Sequence, residues 1–260
     1  MKNFLLILFL LNSSITAQEV VAHRGAAHRV PENSIAAFKH AWELGADFIE
    51  ADFYLTTDKQ IVCFHDEDTR SLNGPKLHLE KCSWAQLKDL DIGTSKTTRG
   101  KGHRMPLLQD VLNTVPKNKG IFIEIKSNKD IAPHLKKVIE QSNVDYAQIH
   151  IICFDAEILH KCKTLMPLAK TQWLIKIRSN KLTGSPSPKF KQIAYVLKRL
   201  KFDGIGTNVH NSVLTLNNLK NLQKAGFYWN IWTINDPKKV KPLKAYGIDY
   251  ITTDRPSICK

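Results

Sequence analysis

Three acidic residues lie in two short apolar segments, where their carboxylates could together hold a cation. Glu50 and Asp52 belong to segment 47–52, and Glu124 stands in segment 121–126. Side chains two residues apart on a β-strand point to the same face, so Glu50 and Asp52 would project together. Two carboxylates this close repel each other and need a cation or a shared proton. Three converging carboxylates form an oxygen-rich site that suits Mg²⁺ or Ca²⁺ better than zinc, whereas a structural salt bridge better explains any one of them alone.

Two histidines and two basic residues stand at the ends of apolar runs and could handle a phosphate. His23 and Arg24 end the first run after residue 17, and His65 and Lys126 each follow a later one. Imidazole exchanges protons near neutral pH, so one histidine could act as a base and the other as an acid. A guanidinium can hold a phosphate through two parallel hydrogen bonds. Trp232 could stack on the organic part of a ligand, with burial in the core as the alternative.

Strand-like and helix-like segments alternate along most of the chain. The predicted strands are 19–23, 48–54, 121–125, 149–153, 172–175, 204–206, 229–232 and 250–251. The predicted helices are 34–44, 131–141, 157–164, 190–200, 217–224 and 238–246, and Asn33 is the expected N-cap of the first. This alternation predicts a parallel sheet with right-handed crossovers. Eight such strands in a chain of 260 residues predict a closed α/β fold, the (β/α)8 TIM barrel, with the active site at the carboxyl ends of the strands.

The segment after the second strand breaks this alternation. Too few residues separate strand 48–54 from the run 61–65 for a parallel crossover, so we expect the run to return as an antiparallel hairpin. A turn centred between residues 58 and 59 would place His65 opposite Asp52. The hairpin would thus bring an imidazole back to a carboxylate.

We expect one barrel domain over residues 18–260, with a small insertion above the barrel at about 66–105, after a leader over residues 1–17. The leader combines Lys2, an apolar run and small or polar residues before Ala17, which is the pattern of a secretory signal peptide. Its apolar run is short for a membrane span, which needs about 20 residues, and an uncleaved membrane anchor is the alternative. The sequence therefore predicts cleavage after Ala17 and a periplasmic or secreted protein.

The composition is that of an ordinary globular protein with an excess of positive charge. A net charge of +14, from 38 basic and 24 acidic residues, predicts attraction to anions without identifying them. Most of the excess lysine lies on predicted helices, so a solvated exterior explains it better than a nucleic-acid groove. The five cysteines form no Cys-x-x-Cys motif and are expected to be small buried apolar side chains.

A series of short motifs follows the same order as these candidate site residues. They are His23-Arg24-Gly25, Pro31-Glu32-Asn33-Ser34 with Phe38, Glu50-x-Asp52, His65-Asp66, Met105-Pro106-Leu107-Leu108, Glu124-Ile125-Lys126, Trp232-Thr233-Ile234-Asn235, and Gly247-Ile248-Asp249 through Arg255-Pro256. In kind and order they resemble the motifs of the glycerophosphodiester phosphodiesterase family, and they cover nearly all of the chain after the leader. The departures are Ser34 for the usual Thr, Met105 for the usual Ile, and Gln109 where an acidic residue is common.

The resemblance implies a phospholipase-C-like TIM barrel that holds one divalent metal ion, Mg²⁺ or Ca²⁺. The implied metal ligands are Glu50, Asp52 and Glu124, the implied acid-base pair is His23 and His65, and the implied substrate-binding residues are Arg24, Lys126 and Trp232. We favour His23 as the base and His65 as the acid, although the sequence does not fix this assignment. It also leaves open whether water or the neighbouring glycerol hydroxyl attacks the phosphorus.

The resemblance further implies hydrolysis of glycerophosphodiesters, such as glycerophosphocholine or glycerophosphoethanolamine, to sn-glycerol 3-phosphate and an alcohol. The alternatives are a lysophospholipase D or phosphoinositide phospholipase acting on lipid, and a secreted protein that binds polyanions without chemistry. An enzyme that acts on a bilayer is expected to expose an apolar docking patch. The insertion contains only Trp84 and scattered leucines, which favours a soluble substrate over a lipid. The expected partner is a small-molecule glycerophosphodiester, with no nucleic acid and no stable membrane insertion. The oligomeric state and the preferred alcohol stay open.

Overall fold

The computed structural model describes residues 18–94, 100–180 and 182–260. The predicted leader, residues 1–17, and its cleavage site therefore lie outside the described residues, and so does part of the predicted insertion. No helix in the described ranges has both the length and the apolar character that crossing a bilayer would require.

Eight parallel strands close into a barrel, and three short strands lie outside its ring. The strands are β1 (Glu19–Ala22), β2 (Phe48–Leu55), β3 (Ile61–Cys63), β4 (Gly120–Ile125), β5 (Ile149–Cys153), β6 (Lys170–Ile175), β7 (Arg178–Ser179), β8 (Pro186–Ser187), β9 (Gly204–Thr207), β10 (Tyr228–Ile231) and β11 (Tyr250–Thr253). The ring closes because β1 pairs in parallel with both β2 and β11. Strand β3 is antiparallel to β2, and β7 and β8 form a separate hairpin. The predicted (β/α)8 TIM barrel is confirmed.

Helices follow most barrel strands and cover the outside of the ring. They are α1 (Ile35–Glu43), α2 (Trp84–Leu87), α3 (Leu108–Leu112), α4 (Ile131–Glu140), α5 (Ala156–Leu165), α6 (Phe190–Leu200), α7 (Leu216–Lys224) and α8 (Pro237–Tyr246). The six predicted helices are all present. Their ends lie where the sequence supplies caps. In α8, for example, Asp236 accepts a hydrogen bond from the backbone of Lys238, and Gly247 ends the helix in the left-handed conformation.

The cap of α1 differs from the prediction. Ser34 is the N-cap, because its backbone is extended and its hydroxyl oxygen accepts a hydrogen bond from the Ala37 N–H. Asn33, the predicted cap, has a left-handed backbone with φ of 55° instead. The helix therefore starts one residue later than a cap at Asn33 would allow, and the amide side chain of Asn33 is left for other contacts.

The hairpin is present, but its register differs from the predicted one by one residue. The observed pairs are Phe53 with Cys63, Tyr54 with Val62, and Leu55 with Ile61. The turn is centred on Asp58, with Lys59 in the left-handed conformation, so three residues form the loop instead of two. The Phe64 N–H therefore donates to the Asp52 carbonyl at 3.0 Å. The prediction that His65 lies opposite Asp52 is wrong, because Phe64 occupies that position.

The described part of the insertion buries an apolar cluster of its own. Leu72, Leu79 and Leu87 pack with Val62 and Phe64 from the hairpin. This second core lies apart from the main one, which fills the space between the barrel and its helices. The hairpin is thus held by packing on the insertion, and this positions His65 at its end.

The five cysteines are all buried and unpaired, as predicted for small apolar side chains. Burial raises the pKa values of the Cys153 and Cys162 thiols to about 12, which keeps both thiols protonated.

Candidate active site

Three carboxylates predicted from the sequence meet in the mouth of the barrel. Glu50 and Asp52 come from β2, and Glu124 comes from the neighbouring β4, where it pairs in register with Asp52. One carboxylate oxygen from each of the three lies within 4.8 Å of the others, and all three residues are buried. The two-residue alternation of a strand and the parallel pairing of its neighbour are sufficient to bring these acids together.

Two cations compensate part of this negative charge. The Lys126 ammonium lies 2.8 Å from Glu124 Oε1 and 3.4 Å from Asp52 Oδ1. The Arg24 Nε atom lies 3.3 Å from Asp52 Oδ2. Burial by itself would raise the pKa of Asp52, but the charges of Lys126 and Arg24 outweigh it, so the net shift is downward. Asp52 is therefore ionised at neutral pH.

Glu50 is the acid whose charge is left without compensation. Burial, reinforced by repulsion from Asp52, raises the pKa of Glu50 to about 8. Its Oε2 atom accepts a hydrogen bond from the Arg24 N–H at 2.8 Å, but its buried Oε1 atom has no hydrogen-bond partner among the described residues. A buried acceptor without a partner costs free energy. A hard divalent cation would satisfy this oxygen and remove the repulsion, so the donor set fits Mg²⁺ or Ca²⁺.

His23 is held by the carboxylate of Asp254, which was not among the predicted site residues. Its Nδ1 atom lies 2.6 Å from Asp254 Oδ1. Burial lowers the pKa of His23, but the hydrogen bond to Asp254 and the charge of Glu50 outweigh it, and the net shift is upward. Asp254 also fixes its loop, because its backbone N–H donates to Asn235 Oδ1 at 2.9 Å.

His65 lies in a different environment at the end of the hairpin. Its Nδ1 atom is 2.9 Å from Asp66 Oδ1, and both side chains are partly exposed. Burial lowers the pKa of His65, and this effect outweighs the opposing charge of Asp52. The two histidines therefore have pKa values shifted in opposite directions, with His65 the neutral partner at neutral pH.

These groups line one cavity of about 310 Å³, whose wall has a charged side and a mostly apolar side. The charged side carries His23, Arg24, Glu50, His65, Glu124 and Lys126. The opposite side includes Ile152, Phe154, Leu174 and Trp232, with Lys176. The Trp232 ring lies edge-to-face with Phe154 at 5.7 Å, just beyond the end of β10. The predicted site residues other than Asp52 thus line the same cavity, and Asp52 is buried beside it, within 4.8 Å of Glu50 and Glu124.

Two further side chains belong to the site and were not predicted. The Asn33 Nδ2 atom donates to Asp52 Oδ2 at 2.9 Å, and Asn33 Oδ1 accepts from the Asp52 N–H at 3.2 Å. Glu32 accepts a hydrogen bond from Arg24 Nη1 at 2.9 Å and so fixes the guanidinium. Both residues lie in the Pro-Glu-Asn-Ser motif, which the sequence analysis used as a family marker and, at Asn33, as a helix cap.

The chain matches a known protein family over most of its length. The family model described as "Glycerophosphoryl diester phosphodiesterase family" matches residues 23–258. The chain belongs to this family. It is 31% identical over 246 residues to a glycerophosphodiester phosphodiesterase of Caldanaerobacter subterraneus subsp. tengcongensis, covering 91% of this chain and 94% of that protein. The predicted family and the predicted class of enzyme, a phosphoric diester hydrolase acting on glycerophosphodiesters, are confirmed.

Two other proteins are similar to this chain. The lysophospholipase D of Homo sapiens is 27% identical over 265 residues, covering 91% of this chain and 83% of that protein. A phosphodiesterase of Oleispira antarctica, whose structure is a complex with the product sn-glycerol-3-phosphate, superposes with a TM-score of 0.76. That match has 21% sequence identity and covers 94% of this chain and 95% of that chain, so it supports the barrel fold.

Because the charge of Glu50 is not compensated, we predict that the stability of the folded protein depends on pH. Without a divalent cation, folded Glu50 retains its proton up to about pH 8, whereas the unfolded chain releases it near the ordinary value of 4.5. The folded state then binds more protons, so the contribution of Glu50 to stability falls as pH rises through this interval. We expect Glu50→Gln to remove this part of the pH dependence, as measured by thermal unfolding from pH 5 to pH 9 in EDTA.

The matched control is Glu140→Gln, because Glu140 is an exposed acid on α4. It should keep the pH dependence of the wild type. Mg²⁺ or Ca²⁺ should raise the unfolding temperature of the wild type more at pH 8 than at pH 5, and much less in Glu50→Gln. An identical pH profile for Glu50→Gln and the wild type would contradict this account of the site.

Proposed function

We propose that this enzyme is exported and uses a divalent cation and two histidines to hydrolyse soluble glycerophosphodiesters to sn-glycerol 3-phosphate and an alcohol. The observation that carries the proposal is the convergence of charged groups at one cavity. They are three carboxylates, the cationic side chains of Arg24 and Lys126, and two imidazoles whose pKa values are shifted in opposite directions. Family membership supports the reaction class. The product complex of the Oleispira antarctica phosphodiesterase supports the identity of the phosphate product.

Arg24 and Lys126 bind the phosphate of the substrate. Glu32 and Asp52 hold the Arg24 side chain, and Asp52 and Glu124 hold the Lys126 ammonium, so both cations are positioned before substrate arrives. Such preorganised charges offset the negative charge that develops on the phosphoryl oxygens. Glu50, Asp52 and Glu124 would hold the divalent cation, which when bound supplies Lewis-acid polarisation of the phosphate and orients a hydroxyl.

The environments of the histidines favour His23 as the acid and His65 as the base. This is the reverse of the assignment that we favoured from the sequence. The hydrogen bond to Asp254 favours the imidazolium form of His23, which can give a proton to the leaving alkoxide. His65, with a lowered pKa, is neutral at pH 7 and can accept a proton from the attacking hydroxyl. The attacking group, water or the glycerol hydroxyl, presents its proton to the same base in either case.

A soluble substrate is favoured by the surface of the insertion. None of its large apolar side chains in the described ranges is exposed, and Trp84 packs against the apolar cluster of the insertion. A lysophospholipase D activity is the second candidate, because the cavity has an apolar wall and Phe154 at its rim is 47% exposed. The human relative carries that activity in its name.

The reaction is tested with the mature protein and a panel of diesters. We expect release of sn-glycerol 3-phosphate from glycerophosphodiesters, loss of this activity in EDTA, and recovery on addition of Mg²⁺ or Ca²⁺. Lysophosphatidylcholine in the same assay tests the second candidate. Undiminished activity in EDTA would refute the cation, and turnover of the lysolipid alone would refute the soluble substrate.

The roles of the histidines are tested by substitution and pH. His23→Ala and His65→Ala should each lower kcat by roughly 10²- to 10⁴-fold. Asp254→Asn removes the negative charge that strengthens this hydrogen bond and raises the pKa of His23, so an acid at His23 would lose its proton at a lower pH. We therefore expect the alkaline limb of the kcat/KM profile to move to lower pH in Asp254→Asn.

The control for this measurement is Asp130→Asn, since Asp130 is exposed and its side chain caps no backbone group. Its pH profile should match the wild type. A shift of the acidic limb in Asp254→Asn, with the alkaline limb unchanged, would instead make His23 the base.

Export rests on the leader pattern of residues 1–17. Mass spectrometry of the protein purified from cells that produce the full chain should show a mature N-terminus at Gln18. A product that retains residues 1–17 throughout would contradict cleavage after Ala17.

A further inference from the structure

The apolar side of the cavity carries one positive charge at its rim. Side chains two residues apart on β5 and β6 point into the barrel, so Ile152 and Phe154 line one strip and Leu174 and Lys176 line the next. Ile152 and Leu174 are each 3% exposed. Phe154 is 47% exposed, and Lys176 is exposed as well. Moving outward from the cavity floor, the wall therefore changes from buried aliphatic side chains to an aromatic ring and an ammonium group.

Lys176 differs from the lysine on the charged side of the same cavity. Lys126 is fixed by ion pairs with Glu124 and Asp52. Across the ranges that the structure covers, Lys176 makes no ion pair with a carboxylate. No carboxylate in the described ranges therefore neutralises its charge. The ammonium group faces whatever part of the substrate reaches this rim.

The part of the substrate that reaches the rim is the leaving alcohol, given the function proposed above. Glycerol phosphate is common to all glycerophosphodiesters, and the charged side of the cavity holds the phosphate through Arg24 and Lys126. The alcohol varies in size and charge from one diester to another, so it needs the open end of the cavity. That end is bordered by Phe154 and Lys176.

We infer that Lys176 makes this enzyme discriminate among glycerophosphodiesters by the charge of the leaving alcohol, favouring anionic alcohols over uncharged polyols and both over quaternary ammonium alcohols. The inference rests on the proposed function and adds the substrate class to it. The aromatic faces of Phe154 and Trp232 attract a trimethylammonium group, but the ammonium of Lys176 repels it at the same rim. An anionic alcohol gains the attraction of Lys176 with no such opposition.

The experiment compares kcat/KM for three substrates that differ in the leaving alcohol. Glycerophosphocholine supplies a cationic alcohol, glycerophosphoinositol an uncharged one, and deacylated cardiolipin an alcohol that carries a second phosphate. In the wild type we expect the deacylated cardiolipin to have the highest kcat/KM and glycerophosphocholine the lowest. Lys176→Glu should change the ratio of these two values by roughly tenfold in favour of glycerophosphocholine at low salt, and high salt should shrink that change.

Lys220→Glu is the matched control, because it makes the same change of charge at an exposed position on α7. Its substrate ratio should stay within twofold of the wild type, which separates a local effect from that of net charge. A wild-type preference for glycerophosphocholine, or an unchanged ratio in Lys176→Glu, would overturn the inference while leaving the hydrolysis intact. Absence of sn-glycerol 3-phosphate release from all three substrates would overturn the proposed function and the inference with it.

Discussion

Repulsion among three buried carboxylates is the constraint around which the mouth of this barrel is built. Glu50, Asp52 and Glu124 lie within 4.8 Å of one another, where burial strengthens every charge interaction. Lys126 and Arg24 lower the pKa of Asp52, whereas Glu50 relieves the repulsion by keeping its proton up to about pH 8. A divalent cation would let Glu50 ionise and, together with Lys126 and Arg24, would give these groups a net positive charge that attracts a phosphodiester anion. The repulsion among the three acids thus favours a cation, and the cation in turn favours an anion.

Closure of the barrel places the two histidines of the candidate site in different surroundings. Strands β1 and β11 are the first and last of the ring, and their pairing brings Asp254 to His23 across 231 positions of the sequence. His65 lies instead on a hairpin outside the ring, beside a half-exposed Asp66. Asp254 is less exposed than Asp66, at 28% against 48% of its side chain, and a carboxylate that is better shielded from water stabilises an imidazolium more. The opposite pKa shifts of the two histidines therefore follow from which strand carries each of them.

Local periodicity was enough to predict most of the fold, and strand alternation was enough to predict the carboxylates. Both patterns repeat every two or 3.6 residues, so they are visible in short stretches of sequence. The register of the hairpin was not predictable in this way, because it depends on the left-handed backbone of Lys59 and a three-residue loop. The contact of Asn33 with Asp52 likewise depends on a left-handed backbone, which the sequence does not display.

The contact of Asp254 with His23 differs from these cases, because the order of the strands contains the information needed to predict it. Eight parallel strands in a closed ring require the first and last strands to be neighbours, so the residue after β11 must lie beside the residue after β1. A polar residue at each of those positions, His23 and Asp254, could have been paired on topology alone. Recognition of the family marked both segments without indicating that they touch.

In the proposed function, the two sides of the cavity separate the chemistry of the reaction from the choice of substrate. Strands β1, β2 and β4 supply the charged side, which would act on the phosphate, whereas β5, β6 and β10 supply the apolar side. Gly206 on β9 keeps this side open, because a Cβ there would lie 2.6 Å from the Leu174 side chain and 3.2 Å from the Trp232 indole nitrogen. Residues at positions 154 and 176 can therefore change the alcohol that fits without touching the carboxylates or the histidines. A barrel arranged in this way can acquire a new substrate by substitutions on one side only, because the phosphate and its charge stay the same on the other.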